Sequence, residues 1–437
     1  MAGDDRVTTR SARSFQSPLP LGEGSSNHPA PAGGGQGGGW WQAPARHGVY
    51  FVVRILAFCD YFAEPLSGGS ERAALEVYRR LADQGATIRV ITTMPRSMRP
   101  VRSTERLQVR VIPSFELARP IGIQASFAPA LFLKLWALAS DFRPDVLHAN
   151  TLFFQTSLAA AVIGRVKGLP LVTTVQIAGL DLMPQPARLL GTAYERTVGR
   201  FILSQSTRII AVGPSVRDHV IRLGTPADRI AIVHNGVDLR RFWPRHEMAR
   251  NDPPVIAFVA RLIVNKGPNT MITALLQLRR EGLAFKAVFI GDGPLRRQLE
   301  QRALPLGSSV QFLGQQADVA PHVRQADLVV RPSLTEGMPL GILEAMASRV
   351  CVIASDIDGN RDLVTDGQNG VLFPVEDPSR LADAIRDLLA NPARRAMLAR
   401  AGYETAPAYG WDAIAARTVA VFSSIMPAAS QGRSKAA

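Results

Sequence analysis

The sequence predicts an α/β fold with two doubly wound parallel-sheet domains that face a common cleft. From residue 50, short β-branched runs are each followed by about ten to fifteen residues of helical period, and the runs show no alternation of apolar and polar positions. Strands of that kind are covered on both faces, and helices between them indicate parallel crossovers. The same pattern restarts after a break rich in proline and charge at residues 242–254, and 437 residues are enough for two such cores.

Five segments follow from this pattern. Residues 1–47 hold nine Gly, five Pro and five Ser without an apolar period, so they are expected to form a disordered tail. The first domain is predicted at 48–250 and the second at 251–410. The amphipathic residues 411–427 are expected to form a helix that packs back toward the first domain, and 428–437 are expected to form a frayed tail.

The predicted strands and helices alternate along both domains. In the first domain the strands YFVVRILAF, TIRVITT, DVLHA and LPLVTTV alternate with the helical segments ERAALEVYRRLADQG and SLAAAVIGRVKG. In the second domain the predicted strands are VIAFVAR, KAVFIGDG, VQFLG, ADLVVRPS and VCVIASD. Helices are expected to follow from Asn269, from Leu295 and near Pro339.

No transmembrane helix is predicted, because the longest uncharged stretches are interrupted by polar residues. Residues 121–140, with the sequence IGIQASFAPALFLKLWALAS, are the most apolar region. A buried helix of the α/β domain and a helix lying on a membrane both fit this segment.

Positive charge is concentrated in the first domain. The chain has 50 Lys and Arg against 36 Asp and Glu, and residues 48–250 alone hold 26 basic and 15 acidic residues. The segment 89–119 carries seven Arg against Glu105 and Glu116. This excess suits an anionic membrane or acceptor, although a solvated loop would also explain it.

A protein that binds nucleic acid would interleave aromatic residues with the basic ones. The sequence has no such pattern, so no nucleic acid is expected as a partner.

Two cations follow the first strand of the second domain. Arg261 ends that strand in VARLIVNKGPNT, and Lys266 stands directly before Gly267 and Pro268, which begin a helix. Ligands of open parallel sheets bind at the carboxyl ends of strands. A helix N-terminus with two cations beside it suits a diphosphate. The alternative is that the Arg and the Lys lie on a solvated loop and bind no ligand.

Two carboxylates flank a later strand-to-helix corner. The segment RPSLTEGMPLGILEAMAS places Glu336 after a strand, and Gly337, Met338 and Pro339 open a helix that bears Glu344. Gly lets the backbone approach a ligand, and Pro suits the first helical turn. The two carboxylates can reach different hydroxyls of one elongated ligand. The alternative is that Glu336 caps the helix and Glu344 lies on its surface.

Several segments together resemble the retaining family 4 glycosyltransferases, also described as glycosyl transferase group 1, which have the GT-B fold. They are the Arg-x4-Lys-Gly and Glu-x7-Glu segments above, with SGGSERAALEVYRRLADQG, DVLHAN, VHNGVDLRRFWP, VQFLG and IDGNRDLVTDGQNGVLF. They occur in the family's order over about residues 52–427. The resemblance implies that the Rossmann-like first domain binds the acceptor and the second binds a nucleotide-diphosphate sugar, without a metal or other cofactor.

The resemblance also implies roles for individual residues. Arg261 and Lys266 match the cations that bind the donor diphosphate. Glu336 matches the carboxylate that contacts hydroxyls of the donor sugar, and Glu344 matches the carboxylate that binds the ribose. The donor is also expected to meet the neighbouring residues Gly337, Met338, Pro339 and Leu340.

Four positions of the first domain complete the expected site. Gly68 and Gly69 match the family's glycine loop, where only backbone approaches the donor phosphate or acceptor; a simple turn is the alternative. His148 ends the DVLHAN strand and is expected to face the cleft as a catalytic residue, although a strand-end His can equally hold a loop. Gln176 stands where the family commonly has a donor-contacting His, and Gln can form hydrogen bonds but cannot act as a base.

Metal binding is not expected. Asp356 and Asp358 match the DxD metal motif of another glycosyltransferase fold, but the resemblance implies that cations and amides replace the metal here. The two cysteines, Cys59 and Cys351, lie far apart in apolar runs. This spacing excludes a disulfide framework and a cysteine metal site, and it fits a reducing cytosol.

The leading hypothesis is a retaining, metal-independent hexosyltransferase that moves a sugar from a nucleotide-diphosphate sugar to an acceptor. The acceptor is expected to be a lipid-linked saccharide or anionic lipid of cell-envelope or exopolysaccharide synthesis. We expect the protein to be cytoplasmic and peripheral at the inner face of the plasma membrane. The alternatives are a nucleotide-sugar epimerase or other enzyme of the same fold, and a non-catalytic basic membrane-surface protein.

Overall fold

The computed structural model describes residues 52–64, 68–116, 126–177, 185, 187–244 and 251–426. The expected tails at 1–47 and 428–437 lie outside the described residues.

Seven parallel strands form the first sheet. They are β1 (Arg54–Phe58), β2 (Thr87–Met94), β3 (Leu107–Pro113), β4 (Val146–Ala149), β5 (Leu171–Val175), β6 (Arg208–Ala211) and β7 (Ile230–Ile232). Their spatial order is β7-β6-β5-β4-β1-β2-β3, so the direction of winding reverses between β1 and β4. In the register, Ile55 of β1 pairs with Ile88 of β2 on one side and with Val146 of β4 on the other.

Helices cover both faces of the first sheet. They are α1 (Gly69–Asp83), α2 (Ala130–Phe142), α3 (Gln155–Lys167), α4 (Ala187–Tyr194), α5 (Arg200–Gln205) and α6 (Pro214–Arg222). A π-helical turn, Glu195–Gly199, joins α4 to α5. Because helices lie on both sides, β4 and β5 are buried along their whole length, which explains why neither strand alternates apolar and charged residues.

Six parallel strands form the second sheet. They are β8 (Val255–Val259), β9 (Lys286–Ile290), β10 (Val310–Gly314), β11 (Leu328–Arg331), β12 (Cys351–Ser355) and β13 (Val371–Phe373). Their order is β10-β9-β8-β11-β12-β13, which repeats the winding of the first sheet and reverses between β8 and β11. The predicted fold of two doubly wound parallel sheets is therefore confirmed.

The helices of the second half are α7 (Pro268–Arg280), α8 (Arg296–Ala303), α9 (Ala320–Gln325), α10 (Leu340–Ala347), α11 (Asp358–Arg361), α12 (Pro378–Ala390), α13 (Pro392–Thr405) and α14 (Trp411–Ser423). α7 and α12 pack on one face of the second sheet in a cluster with Leu275, Leu278, Leu381 and Ile385, all fully buried. Burial of each such side chain contributes about 1.5–3 kcal/mol.

The last helix packs on the first sheet rather than the second. Trp411 and Phe422 of α14 belong to the same buried cluster as Tyr78 and Leu81 of α1. Arg80 of α1 also donates to Asp412 at 2.7 Å. The chain therefore crosses between the two sheets twice.

Two short antiparallel pairs lie beside the first sheet, and the strand pattern did not predict them. Ala63–Glu64 pairs with Arg99–Pro100, and Phe115–Glu116 pairs with Ser126–Phe127. Both pairs follow strand ends of the first sheet.

Candidate functional site

The candidate site lies where β8 and β11 end, at the reversal of the second sheet. Open parallel sheets bind ligands at this kind of position, because the loops after the two strands turn to opposite faces and leave a crevice. Arg261 and Lys266 follow β8, and Glu336 follows β11. These residues are therefore brought together, as the sequence led us to expect.

Glu336 is the centre of a buried ionic network. Its carboxylate accepts hydrogen bonds from Lys266 Nζ at 2.8 Å, from Arg331 Nη2 at 2.7 Å and from Ser333 Oγ at 2.8 Å. The Glu336 side chain is only 8% exposed. Burial alone would raise its pKa, but the charges of Lys266 and Arg331 outweigh burial and lower the pKa to about 2. Glu336 is thus an ionised acceptor at any physiological pH.

Arg331 is a member of this network that the sequence analysis missed. It is the last residue of β11, is 6% exposed, and also donates to the carbonyl of Val259 at the end of β8. An Arg closing an otherwise apolar strand was the available signal. It ties the ends of two neighbouring strands to the Glu336 carboxylate.

Lys266 owes its position to the turn that precedes α7. It ends a short 3₁₀ turn, Val264–Lys266, and the next residue, Gly267, has a φ of 65°. A Cβ at Gly267 would collide with the carbonyl of Pro332, so only Gly fits. Burial lowers the pKa of Lys266, and Glu336 offsets this in part.

Arg261 is exposed at the end of β8 and faces the first domain. Its charge acts on Lys266 in its own domain and on Glu71 of α1. The chain therefore carries Arg261 and Lys266 on the segment between the end of β8 and the N-terminus of α7.

Gly337 lies directly against the first domain. A Cβ at Gly337 would collide with the carbonyl oxygen of Gln176, which follows β5 of the first sheet. Asn235 joins the same contact, because its Nδ2 donates to Gln176 Oε1 at 3.3 Å and to the Met338 carbonyl at 3.2 Å. Gln176 thus lies against the segment predicted to bind the donor sugar. Asn235, in the VHNG segment, was not singled out by the sequence analysis.

Glu344 is held by a residue of the opposite domain. It lies on α10, is 6% exposed, and accepts a hydrogen bond from Arg72 of α1 at 2.7 Å. Leu340, at the start of α10, also lies 3.5 Å from the position a Cβ would take on Gly69. The start of α1, with Gly68 and Gly69, therefore faces the start of α10 across the cleft.

Glu71 is a second residue of α1 that the sequence analysis missed. Its side chain is buried, and Oε2 has no hydrogen-bond partner among the described residues. Burial raises the pKa of Glu71, while Arg261 counteracts the rise. Glu71 packs over Gly68, where a Cβ would collide with its carboxylate. A side chain at position 68 would therefore have to displace the Glu71 carboxylate.

His148 does not face the cleft, and the expectation that it would is wrong. Its ring is 3% exposed and lies under α1 and α14, where Nδ1 pairs with Tyr78 Oη at 2.7 Å and Nε2 with Thr174 Oγ1 at 2.8 Å. Phe422 packs edge-on against the ring. Side chains alternate along β4, and His148 points to the face of the sheet that α1 and α14 cover. Burial lowers its pKa to about 3.

The two carboxylates of the DxD segment pair with an arginine. Asp356 accepts from Arg361 Nε at 2.6 Å and Asp358 accepts from Arg361 Nη1 at 3.0 Å. Within the described ranges, His, Cys, Asp and Glu side chains form no group of three or more with the spacing of a metal site. Nor does any helix in these ranges have the length and apolar character needed to cross a membrane.

Comparison with known families gives two adjoining matches. Residues 67–241 match the model of Glycosyltransferase Family 4, and residues 240–405 match that of Glycosyl transferases group 1. The boundary between the two matches falls between the two sheets. The first match contains the glycine loop and the second contains the Glu336 network.

Curated relatives have similar length. The chain is 30% identical over 387 residues to a D-inositol 3-phosphate glycosyltransferase of Frankia alni, covering 80% of this chain and 92% of the relative. It is 29% identical over 417 residues to D-inositol 3-phosphate glycosyltransferase 1 of Catenulispora acidiphila, covering 85% and 95%. A glycogen synthase of Mycobacterium tuberculosis is 27% identical over 299 residues, covering 66% and 72%.

Solved structures share the fold. Anabaena Alr3699/HepE in complex with UDP has a TM-score of 0.68 at 22% identity, covering 85% of this chain and all of the other. Sucrose-phosphate synthase from Thermosynechococcus elongatus has a TM-score of 0.70 at 21% identity, covering 85% and 98%. At these identities the likeness concerns the fold alone.

Proposed function

The chain belongs to the family 4, group 1 glycosyltransferases, and from this premise we propose that it transfers a sugar from a nucleotide-diphosphate sugar to an acceptor. The observation that carries the proposal is the buried carboxylate of Glu336 beside Lys266, Arg331 and the N-terminus of α7. It provides an anionic acceptor for sugar hydroxyls next to a cationic site for a diphosphate. Anabaena HepE was solved with UDP-glucose, which supports this class of donor.

In the proposed reaction, the bond between the anomeric carbon and the diphosphate oxygen breaks and the nucleoside diphosphate leaves with the bonding electrons. Arg261 and Lys266 stabilise the charge that develops on this leaving group. Glu336 accepts hydrogen bonds from hydroxyls of the sugar and fixes the orientation of the ring. Glu344 binds the ribose of the donor.

We further propose that the anomeric configuration is retained. The acceptor oxygen attacks the anomeric carbon on the face that the diphosphate leaves, and the acceptor proton passes to an oxygen of the departing phosphate. This route needs no protein base. It agrees with Gln176, which cannot titrate, and with His148, which lies away from the cleft.

Metal independence is also part of the proposal. In this reading Arg261 and Lys266, together with the free amides at the start of α7, supply the positive charge that a divalent cation provides in other transferases. Arg331 adds a third cation, but its bond to Glu336 makes it a support for that carboxylate. A nucleotide-sugar epimerase of the same fold remains the second candidate, because it would need the same donor site.

The proposed acceptor is anionic. The relatives named for D-inositol 3-phosphate suggest a phosphate-bearing acceptor. The excess of basic residues in 48–250 would favour such a molecule, whether free or linked to a lipid. In the lipid-linked case the enzyme would work at the inner face of the plasma membrane, in contact with anionic lipid.

A panel of nucleotide sugars, with and without phosphate-bearing acceptors, tests the proposal through release of the nucleoside diphosphate. We expect one donor to turn over, with slow hydrolysis in the absence of acceptor. Lys266→Met should lower kcat/KM about 100-fold or more, because one charge contact to the leaving group is lost. The matched control is Lys286→Met, which removes an exposed lysine of β9 and should keep wild-type turnover.

Two results would overturn the proposal. One is that no nucleotide sugar binds or turns over. The other is wild-type activity in Lys266→Met. Conversion of the donor sugar to its epimer without loss of nucleotide would favour the second candidate.

A further inference from the structure

Helix α2 leaves a row of large apolar side chains on the protein surface. Leu133 is 87% exposed, Trp136 58% and Phe132 43%. The opposite side of the helix is buried against the first sheet through Leu131, Leu135, Ala139 and Phe142. With one buried face and one apolar exposed face, α2 is more apolar than packing on the sheet requires.

The exposed row continues onto the short strand pair that precedes α2. Phe115 is 67% exposed and Phe127 is 51% exposed, and the two stand directly opposite each other in the register. Phe127 lies three residues before α2 begins at Ala130. We call these five residues the apolar face: Phe115, Phe127, Phe132, Leu133 and Trp136. Exposed clusters of this kind mark surfaces that bind a protein or a membrane.

Cations surround the apolar face. Lys167 of α3 places Nζ 3.8 Å from the centre of the Trp136 ring, and Lys134 is exposed on α2 itself. Arg110 is exposed on β3, two residues before Ile112, and the two side chains lie on the same face of the strand. Ile112 packs in the same cluster as Leu131 of α2. Arg110 therefore lies on the α2 side of the edge strand.

The acidic side chain of α2 itself is already paired with an arginine. Asp141 is near the end of α2, and its carboxylate is paired with Arg89 at 2.6 Å. The described surface at the apolar face therefore combines apolar side chains with the cations Lys134, Lys167 and Arg110.

We propose that the apolar face docks the first domain onto an anionic lipid bilayer. Phe, Trp and Leu enter the boundary between headgroups and acyl chains, while Lys and Arg bind acidic headgroups. Lys134, Lys167 and Arg110 favour a bilayer over an uncharged partner, because their positive charge complements anionic lipid headgroups. The inference deepens the membrane contact of the proposed function by naming its surface, and docking does not require glycosyl transfer.

The position of this surface suits an acceptor anchored in lipid. The strand pair follows the carboxyl end of β3, and the glycine loop with Gly68 and Gly69 follows the carboxyl end of β1. Both lie at the same edge of the first sheet, because its strands are parallel. A bilayer on the apolar face would therefore be near the cleft.

Sedimentation of the full chain with vesicles tests the inference. We expect binding to vesicles of phosphatidylcholine with about a third phosphatidylglycerol, weaker binding to pure phosphatidylcholine, and loss of binding at high salt. Leu133→Asp should weaken partitioning at least about tenfold, because an apolar side chain no longer enters the lipid. Lys134→Ala should weaken it about fivefold, the effect of one surface cation.

The matched control is Leu304→Asp. Leu304 is 76% exposed in the second domain, so the same change is made at a similar exposure away from the apolar face. It should leave vesicle binding unchanged. Both variants change exposed side chains, and their melting temperatures should equal that of the wild type.

Equal loss of binding in Leu133→Asp and Leu304→Asp would overturn the inference, as would undiminished binding in Leu133→Asp. A lipid-free dimer that Leu133→Asp dissociates, seen by light scattering, would instead assign the face to a second copy of the chain. Donor hydrolysis without lipid is measured in parallel. Vesicle binding without hydrolysis would contradict the proposed transfer only, and hydrolysis without vesicle binding would contradict the docking only.

Discussion

Glu336 illustrates how a site residue acquires its chemistry from its surroundings. In isolation a buried carboxylate is neutral at moderate pH, because burial disfavours its charge. Here Lys266, Arg331 and Ser333 all donate to it, and the pKa falls to about 2. Glu336 is therefore suited to accepting hydrogen bonds and unsuited to donating a proton. Any activity change near neutral pH has to come from another group.

His148 shows the opposite case, and its burial gives a prediction about stability. The pKa is about 3 in the folded chain, below the ordinary value of about 6.5. Between these values the unfolded chain binds more protons, so the stability associated with His148 is complete above about pH 6.5 and is lost as the pH falls toward 3. His148→Gln cannot titrate, so its free energy of unfolding should decline less steeply in this window, by about 1 kcal/mol per pH unit.

Denaturant unfolding at several pH values between 4 and 7.5 measures this difference. Turnover should persist in His148→Gln once the fraction of folded protein is taken into account, because the ring lies under α1 and α14. A complete loss of turnover in a well-folded variant would indicate that His148 is a catalytic residue after all. Identical pH dependence in the two proteins would contradict the assigned burial.

At the scale of elements, the start of α1 and the start of α10 are joined by the pair of Arg72 and Glu344. The pair is 2.7 Å apart, with the Glu344 side chain 7% and the Arg72 side chain 35% exposed. If Glu344 binds the donor ribose as proposed, Arg72 already donates a hydrogen bond to one oxygen of the carboxylate that the ribose would need. We predict that Arg72→Met tightens binding of the free nucleoside diphosphate about fivefold, because Glu344 is then free to accept ribose hydroxyls.

Calorimetric titration tests this prediction in a double-mutant cycle. In a Glu344→Gln background, Arg72→Met should have no further effect, since the two residues act through one contact. Arg79→Met changes an exposed arginine of the same helix and is the control. Weaker nucleotide binding in Arg72→Met would mean that Arg72 itself contacts the nucleotide.

At the scale of the whole molecule, Gly337 and Gln176 form a close contact between the two domains. A Cβ at position 337 has no room beside the Gln176 carbonyl. Gly337→Ala should therefore separate the domains slightly while leaving each sheet intact. Donor turnover should fall about 100-fold, because misplacement by about 1 Å is enough for such a loss.

Gly341→Ala provides the matched control for this change. A Cβ there would lie 3.5 Å from Arg331 Nη1, an ordinary contact, and position 341 is inside α10 where Ala is favoured. Small-angle scattering should give a larger radius of gyration for Gly337→Ala than for Gly341→Ala. Full activity in Gly337→Ala would show that this contact does not control the cleft.

The fold class could be predicted from the sequence, and so could the placement of several candidate residues at strand ends. Apolar runs separated by segments of helical period predicted both sheets. Strands that are covered on two faces consist of such continuous apolar runs. Arg261, Lys266 and Glu336 could be placed together because they follow strand ends, and strand ends of a parallel sheet share one edge. Residues with a strong local signature were therefore predictable.

Pairs between residues distant in the chain could not be predicted from the sequence. The partners Glu336–Arg331 and Glu344–Arg72 are fixed by how strands and domains are juxtaposed, and no local period encodes this. His148 was placed wrongly because the sequence does not state which face of β4 its side chain takes. The exposure of the apolar face of α2 could not be predicted either. An apolar helix has the same sequence pattern whether both of its sides are buried or one side is exposed. Burial and pairing are properties of the packed chain, and they set the charge and reach of each side chain.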